Sequence, residues 1–328
     1  VRLDQLPLTI GDLDLDGASH YRYPPLRQRI GERYGVDPAS IVTANGASMA
    51  NFLAMATLIG PGDEVIFERP AYQPMLSSAR FLGAVIKWAE RSADSGFRLD
   101  LDRLEQLASS RTRLIVVTNL HNPTGALTAE EDLRAIGAIA DRCGVHVLVD
   151  EVYLDSAFPS QQTSALLGPR FVVTSSLTKV YGLSGLRCGW IVAEPELAER
   201  MWRLNDLFGV NQPHQSETLS CFAFDHLDRV ASGNAERLST NRALFNQFVD
   251  LRDDVECMPA EHGITAFPRW TGGDTEPLHS LLRSSHDTAI VPGRWFEMPE
   301  HFRVGLGGDT KLLSEGLARL GSALDDLA

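Results

Sequence analysis

Cysteine is scarce: Cys143, Cys188, Cys221 and Cys257 lie far apart in a chain of 328 residues and form no CxxC pair. Neither a zinc site nor a disulfide framework is indicated, and a reducing, cytoplasmic setting is expected. Long apolar runs are missing too, with no stretch near the ~20 residues that a membrane-spanning helix needs. The opening residues Val1 to Pro7 lack the basic region and apolar core of a signal peptide. Positive charge is in short supply, 30 Lys+Arg against 43 Asp+Glu giving −13. Without a basic patch, that balance repels nucleic acid and anionic membrane surfaces. No internal repeat or low-complexity tract occurs, which removes solenoids and propellers.

What remains is an ordinary globular composition, 44% hydrophobic and 22% charged, long enough for about two domains at roughly 100–200 residues each. Between residues 40 and 195, short β-branched runs alternate with amphipathic helical stretches. That is the rhythm of a parallel sheet with crossover helices. The strands are expected at Glu64–Glu68, Ala84–Glu90, Arg113–Asn119, Val145–Asp150, Phe171–Ser175 and Cys188–Ala193. Ala47–Ile59 reads as a helix with Met49, Phe52, Leu53 and Ala56 on one face, stopped by Gly60-Pro61-Gly62; Thr128–Cys143 reads as another, ended by Gly144. Helices at Leu26–Tyr34 and Lys311–Leu327 and short strands near Ile264–Phe267 and His301–Gly305 have a different texture. The expected architecture is α/β: a large doubly wound, mostly parallel sheet domain over 37–214, and a smaller α+β domain from 1–36 plus 215–328.

The strongest local signal is the string from Ser175 to Trp190, in which Lys179 follows an expected strand and is surrounded by hydroxyls and glycines. Such a lysine, kept off a solvated helix face, suits Schiff-base chemistry, which requires a deprotonated amine near a carbonyl carbon. Ser176, Lys179, Gly182, Leu183, Gly185, Arg187 and Gly189 fit S-x-x-K-x-x-G-L-x-G-x-R-x-G. This resembles the lysine motif of the pyridoxal-phosphate-dependent class I/II aminotransferases, fold type I.

Other segments meet the resemblance in the family's order. Asn45-Gly46-Ala47-Ser48 opens a helix whose N–H groups can hold a phosphate. Glu68-Arg69-Pro70-Ala71-Tyr72 follows a strand, Leu120-His121-Asn122-Pro123-Thr124-Gly125 forms an HNPTG-like turn, and Asp150-Glu151-Val152-Tyr153 ends a buried apolar strand at the edge where open α/β sheets bind ligands. Phe302-Arg303-Val304-Gly305 lies where the family keeps a carboxylate-gripping arginine.

The resemblance implies that Lys179 forms the internal aldimine with pyridoxal 5′-phosphate and carries the substrate proton. It implies that Gly46, Ala47, Ser48, Ser176 and Arg187 hold the phosphate, that Tyr72 stacks on the pyridine ring, and that Asp150 pairs with the ring nitrogen. Asn122 and Tyr153 then bond the phenolic oxygen, Arg303 binds the α-carboxylate, and no metal is needed. Implied partners are an amino acid, a 2-oxo acid and a second copy of the chain, with Tyr21 or Tyr23 in the segment that crosses between subunits. The expected activity is transamination. A C–S β-lyase or an amino-acid cyclase or racemase shares the same motifs and stays open. An aminotransferase-like transcription regulator is disfavoured by the charge and by the lack of a basic helix. For a distal substrate carboxylate, Arg22, Arg269 and Arg294 are candidates without a placement.

Overall fold

A computed structural model describes residues 9–12, 20–157, 161–259 and 261–327. Its principal sheet contains β1 (Ile41–Asn45), β2 (Glu64–Arg69), β3 (Val85–Glu90), β4 (Thr112–Thr118), β5 (His146–Asp150), β6 (Phe171–Ser176) and β7 (Cys188–Val192). The spatial order is β1-β7-β6-β5-β4-β2-β3. Strands β2 to β6 are parallel where they pair, while β7 runs antiparallel to both β6 and β1. The six expected strands form within a residue of their expected bounds; five are largely buried runs bounded by turn residues, while β3 is a half-exposed edge strand.

Alternate residues of these strands face opposite layers. Ile66, Ile115, Val147 and Val173 point to a core shared with Ile136, Ile139 and Ala140 of α5 (Glu130–Cys143). Val65, Phe67, Val116 and Leu148 point the other way, toward α2 (Gly46–Leu58), α3 (Gln73–Phe81) and α6 (Pro195–Asn205). Helix α5 begins with Glu130, Glu131 and Asp132, which complement the positive end of the helix dipole. It ends at Gly144 in the left-handed region, φ 68°. The buried face of α2 differs from the expected one. Ala50, Leu53, Ala54 and Met55 are buried, whereas Met49, Phe52 and Ala56 lie on the half-buried flank, since close sheet packing admits small side chains.

A second, smaller core lies under two short sheets. One pairs β8 (Val255–Glu256) with β10 (Arg269–Trp270); the other has the order β11 (Val291–Pro292), β12 (Phe302–Gly305), β9 (Thr265–Ala266). Leu238 and Phe245 of α8 (Leu227–Asp250), Leu278 and Leu282 of α9 (Glu276–Ser285), and Leu317 and Leu320 of α10 (Thr310–Asp325) close it. The division expected at residues 36 and 215 does not follow the packing at either end. Leu26 and Ile30 of α1 (Pro24–Tyr34), Cys221 and Ala223 of α7 (His214–Phe224), and Leu227 and Val230 at the start of α8 all join the core of the large sheet. Only from the middle of α8 onward does the chain build the smaller core. Among the described residues, no helix is long and apolar enough to cross a membrane.

Candidate active site

The carboxyl ends of the parallel strands share one edge of the large sheet. Because β7 is reversed, its beginning lies at that edge too. Ala47, Ser48, Tyr72, Asn122, Asp150, Tyr153, Ser176, Lys179, Arg187 and Arg303 therefore line one cleft. Gly46, the remaining expected residue, lies directly beneath it at the start of α2.

At one end of the cleft the backbone forms an anion cradle. Gly46 has φ +77°, and a Cβ there would come within 2.5 Å of Arg187 Nη2. Gly189 is equally constrained, since its Cβ would meet the Gly46 carbonyl carbon at 2.4 Å. These two glycines let the start of β7 lie against the start of α2, and Arg187, itself at φ +49°, donates from Nη2 to the Asn45 carbonyl at 3.0 Å. Asn45 makes no side-chain cap, so the first N–H groups of α2 face the cleft without a side-chain acceptor. Ser176 adds its hydroxyl, which accepts from the Thr178 N–H at 3.3 Å.

Asp150, in the middle, is buried. Asn51 Nδ2 donates to its Oδ2 at 2.7 Å, and the Val152 N–H donates to its Oδ1 at 3.0 Å. Thr174 fixes the orientation of Asn51 by donating to Asn51 Oδ1 at 2.6 Å. Burial raises the Asp150 pKa above the usual carboxylate range, while Asn51, Val152 and the charge on Lys179 oppose the shift. A carboxylate so placed, with neutral donors and no ion pair among the described residues, fits a protonated ring nitrogen. Lys179 makes no hydrogen bond or ion pair among the described residues, and its amine pKa is lowered by desolvation first, then by the Arg303 and Arg187 charges. Burial likewise raises the Tyr72 phenol and pushes the Tyr153 phenol up to about 12.

Arg303 reaches the cleft from β12 of the smaller sheet. Its Nη1 donates to Asn122 Oδ1 at 2.9 Å, and its guanidinium lies 5.2 Å from the centre of the Phe296 ring. Asn122 thus keeps its amide N–H groups for another acceptor. The three unplaced arginines are engaged elsewhere: Arg22 with Glu199, Arg269 with Glu256 and Glu300, and Arg294 with Glu276. Tyr21 donates to Asp206 of its own chain, and Tyr23 packs edge-on against His214.

The sequence reading missed Asn51, Thr118 and Thr174. Asn51 carried a signal, being a polar residue in the otherwise apolar stretch Ala50 to Met55 of a sheet-facing helix. Thr118 and Thr174 carried none, since threonine is common in strands.

The family model for aminotransferase class I and II matches residues 14–320. This chain belongs to that family. Pyridoxal phosphate is accordingly its cofactor, and the anion cradle, the buried Asp150 and the unpaired Lys179 suit it in charge and donor set. Among similar proteins, a capreomycidine synthase of Streptomyces vinaceus is 30% identical, over 97% of this chain and 84% of its own. An aspartate aminotransferase of Thermotoga maritima is 26% identical, over 90% of this chain and 78% of its own. Two solved structures share the architecture. A PLP-dependent aminotransferase from Streptococcus suis has TM-score 0.88 at 27% identity, covering 99% of this chain and 86% of its own. The PLP-dependent cyclase OrfR has TM-score 0.90 at 25% identity, covering 99% and 89%.

Proposed function

We propose that this enzyme is an aminotransferase that moves the amino group of an α-amino acid to a 2-oxo acid. The observation that carries this reading is the convergence of Lys179, Asp150 and Arg303 in one cleft. Bound pyridoxal phosphate supplies an electron sink for the pair left at the substrate's α-carbon. The chain's own groups do the rest. Arg187, Ser176 and the N–H groups of Ala47 and Ser48 hold the phosphate, with Gly46 giving it room, and Tyr72 covers a face of the ring. Asp150 keeps a proton on the ring nitrogen, while Asn122 and Tyr153 donate to the phenolic oxygen. Lys179 would carry the cofactor covalently, and its Nζ, whose pKa desolvation lowers, would then move the proton from the substrate's α-carbon to the cofactor's C4′ carbon.

Arg303 grips the α-carboxylate with its planar fork. Arg303→Ala is expected to cost about 2–5 kcal/mol, by analogy with a truncated charge pair. That is roughly thirtyfold to several thousandfold in kcat/KM for an amino acid. Lysine will not restore it, because a point ammonium cannot make two parallel bonds.

A second reading, cyclisation of an amino acid, is favoured by the match to the Streptomyces vinaceus synthase and to the cyclase structure. The two separate in one experiment. Loaded enzyme is mixed with single amino acids without an oxo-acid acceptor. Transamination releases one equivalent of 2-oxo acid per site and stops, whereas a cyclase or a C–S lyase keeps turning over and gives a product of different mass.

We further propose a homodimer. Phe81, Leu207, Phe208 and Val210 are exposed around the outer side of α2, where Phe52 packs edge-on against Phe208, and an apolar patch of this kind marks an interface. Sedimentation should give about twice the 36.0 kDa chain mass. The four free thiols support a reducing, cytoplasmic setting.

A further inference from the structure

A buried polar chain runs behind the cleft and ends on Arg303. Glu68 at the end of β2 and Arg91 just after β3 are each 3% exposed, and Arg91 Nε donates to Glu68 Oε2 at 2.8 Å. The other guanidinium nitrogens of Arg91 are satisfied by the Phe97 carbonyl at 2.8 Å and the Thr128 hydroxyl at 3.1 Å. Glu68 Oε1 takes two bonds from Thr118 at the end of β4, from its N–H at 2.7 Å and its hydroxyl at 2.6 Å. The same hydroxyl accepts the Asn122 N–H at 2.8 Å. Asn122, through Oδ1, receives Arg303. His121, between them in sequence, is held neutral by burial and is tied down by Thr124 and the Pro70 carbonyl.

The arrangement has a direction. Because Thr118 spends its one hydroxyl proton on Glu68, its lone pair is aimed at the Asn122 N–H. The carboxylate that fixes this polarity is itself fixed by Arg91, whose side chain is buried and has an acceptor at each guanidinium nitrogen. A buried ion pair adds little net stability, but removing one member leaves an uncompensated charge and destabilises the fold, so the pair itself is a poor target for substitution. We infer that Thr118, backed by the Glu68–Arg91 pair, is a positioning residue that sets the angle of Asn122 and, through it, the aim of Arg303 at the substrate carboxylate. The inference rests on the reading of Arg303 as the carboxylate anchor.

The test compares Thr118→Val, which keeps the shape and removes the hydroxyl, with Thr118→Ser, which keeps the hydroxyl. Each is assayed in half-reactions with an amino acid and with the matched amine lacking a carboxylate, alongside Arg303→Ala. The quantity read is the preference for acid over amine in kcat/KM. Thr118→Val should lower that preference about five- to tenfold, mainly through KM, as expected for one lost hydrogen bond in a charged network. Thr118→Ser should stay within about twofold of the parent. If Thr118→Val fails to accumulate as folded protein, Thr118→Ala carries the same comparison. An equal loss for both substrates in Thr118→Val, or a Thr118→Ser variant as impaired as Thr118→Val, overturns the inference and makes Thr118 a packing residue. If Arg303→Ala itself leaves the preference unchanged, the reading of Arg303 fails instead, and the two failures are told apart by that arm.

Discussion

Strand β2 carries a buried glutamate at each end, and the two ends of the sheet treat them differently. At the amino edge, Glu64 is paired with Lys87 at 2.6 Å and Arg111 at 2.5 Å, and Ser109 donates to it as well. Lys87 first, then Ser109, hold its carboxyl at about 2. At the carboxyl edge, Glu68 is raised by burial despite Arg91, and Asp150, two strands away, is raised with no arginine at all. Charge at the amino edge is neutralised within the chain. At the carboxyl edge Glu68 is still met by Arg91, and Asp150 is the carboxylate left for a ligand. The lysines repeat the contrast: Lys87 has a carboxylate and the Leu107 carbonyl as partners, while Lys179 has neither kind. On the proposed function, strong pairing marks the lysine that stays inert, and its absence marks the one proposed to react.

Substitution can break the contrast at its reactive end first. Lys179→Ala should lower turnover by about 10²–10⁴-fold or more, since it removes the proton carrier. The melting temperature of its cofactor-free form should stay near that of the cofactor-free parent, because Lys179 makes no hydrogen bond or ion pair among the described residues. Borohydride reduction and peptide mapping of the parent should place the pyridoxyl mass on Lys179; finding it on Lys87 would invert the comparison. Asp150→Ala comes next, with a loss of about 10²–10³-fold at saturating cofactor, the size seen when one preorganised electrostatic partner is removed. Near-native kcat would remove Asp150 from the chemistry.

Asn51→Ala sharpens the comparison by leaving the carboxylate in place and deleting the donor that aims it. A hydrogen bond to a charged group is worth about 1.5–3 kcal/mol, so a loss of roughly ten- to hundredfold in kcat is expected, with a cofactor absorbance that titrates at altered pH. An unmoved titration would reduce Asn51 to packing. The smallest effect on activity belongs to Glu64→Gln. Since the folded pKa of Glu64, about 2, lies below its ordinary 4.5, its contribution to stability is complete above pH 4.5 and is lost as pH falls from there through 2. The parent's melting temperature should therefore drop across that window and the variant's should drop less, with turnover at neutral pH unchanged. Parallel curves for the two proteins would show that the pair does nothing for the fold.

These contrasts were unevenly legible in the sequence. The parallel strands showed because a strand covered on both faces is an unbroken apolar run, and the turn residues after β4, β5 and β6 named most of the site. Strand β1 was missed, being a five-residue run directly joined to α2 with no punctuation between them. Helices α3, α4 (Leu101–Leu107), α6, α7, α8 and α9 were not assigned either, and their placement redraws the smaller unit. What the local pattern could not hold is the support behind the site. The bonds from Thr118 to Glu68 and from Asn51 to Asp150 join residues 50 and 99 positions apart, and such pairings exist only once the sheet has formed.

The reversed strand β7 has a consequence for how this chain can change over time. Most groups on the working edge are separated by a whole crossover, so a residue gained or lost between them can be absorbed in a surface loop. Asp150 and Tyr153 are not so separated, and neither are Lys179 and Arg187. Only the short stretch through Leu183 and Leu186 separates the latter pair, both of those side chains are buried, and the second anchor is locked against Gly46. That span acts as a ruler of fixed length. A one-residue insertion there would displace Lys179 relative to Arg187, so the segment should tolerate exchange of its exposed side chains far better than any change in its count.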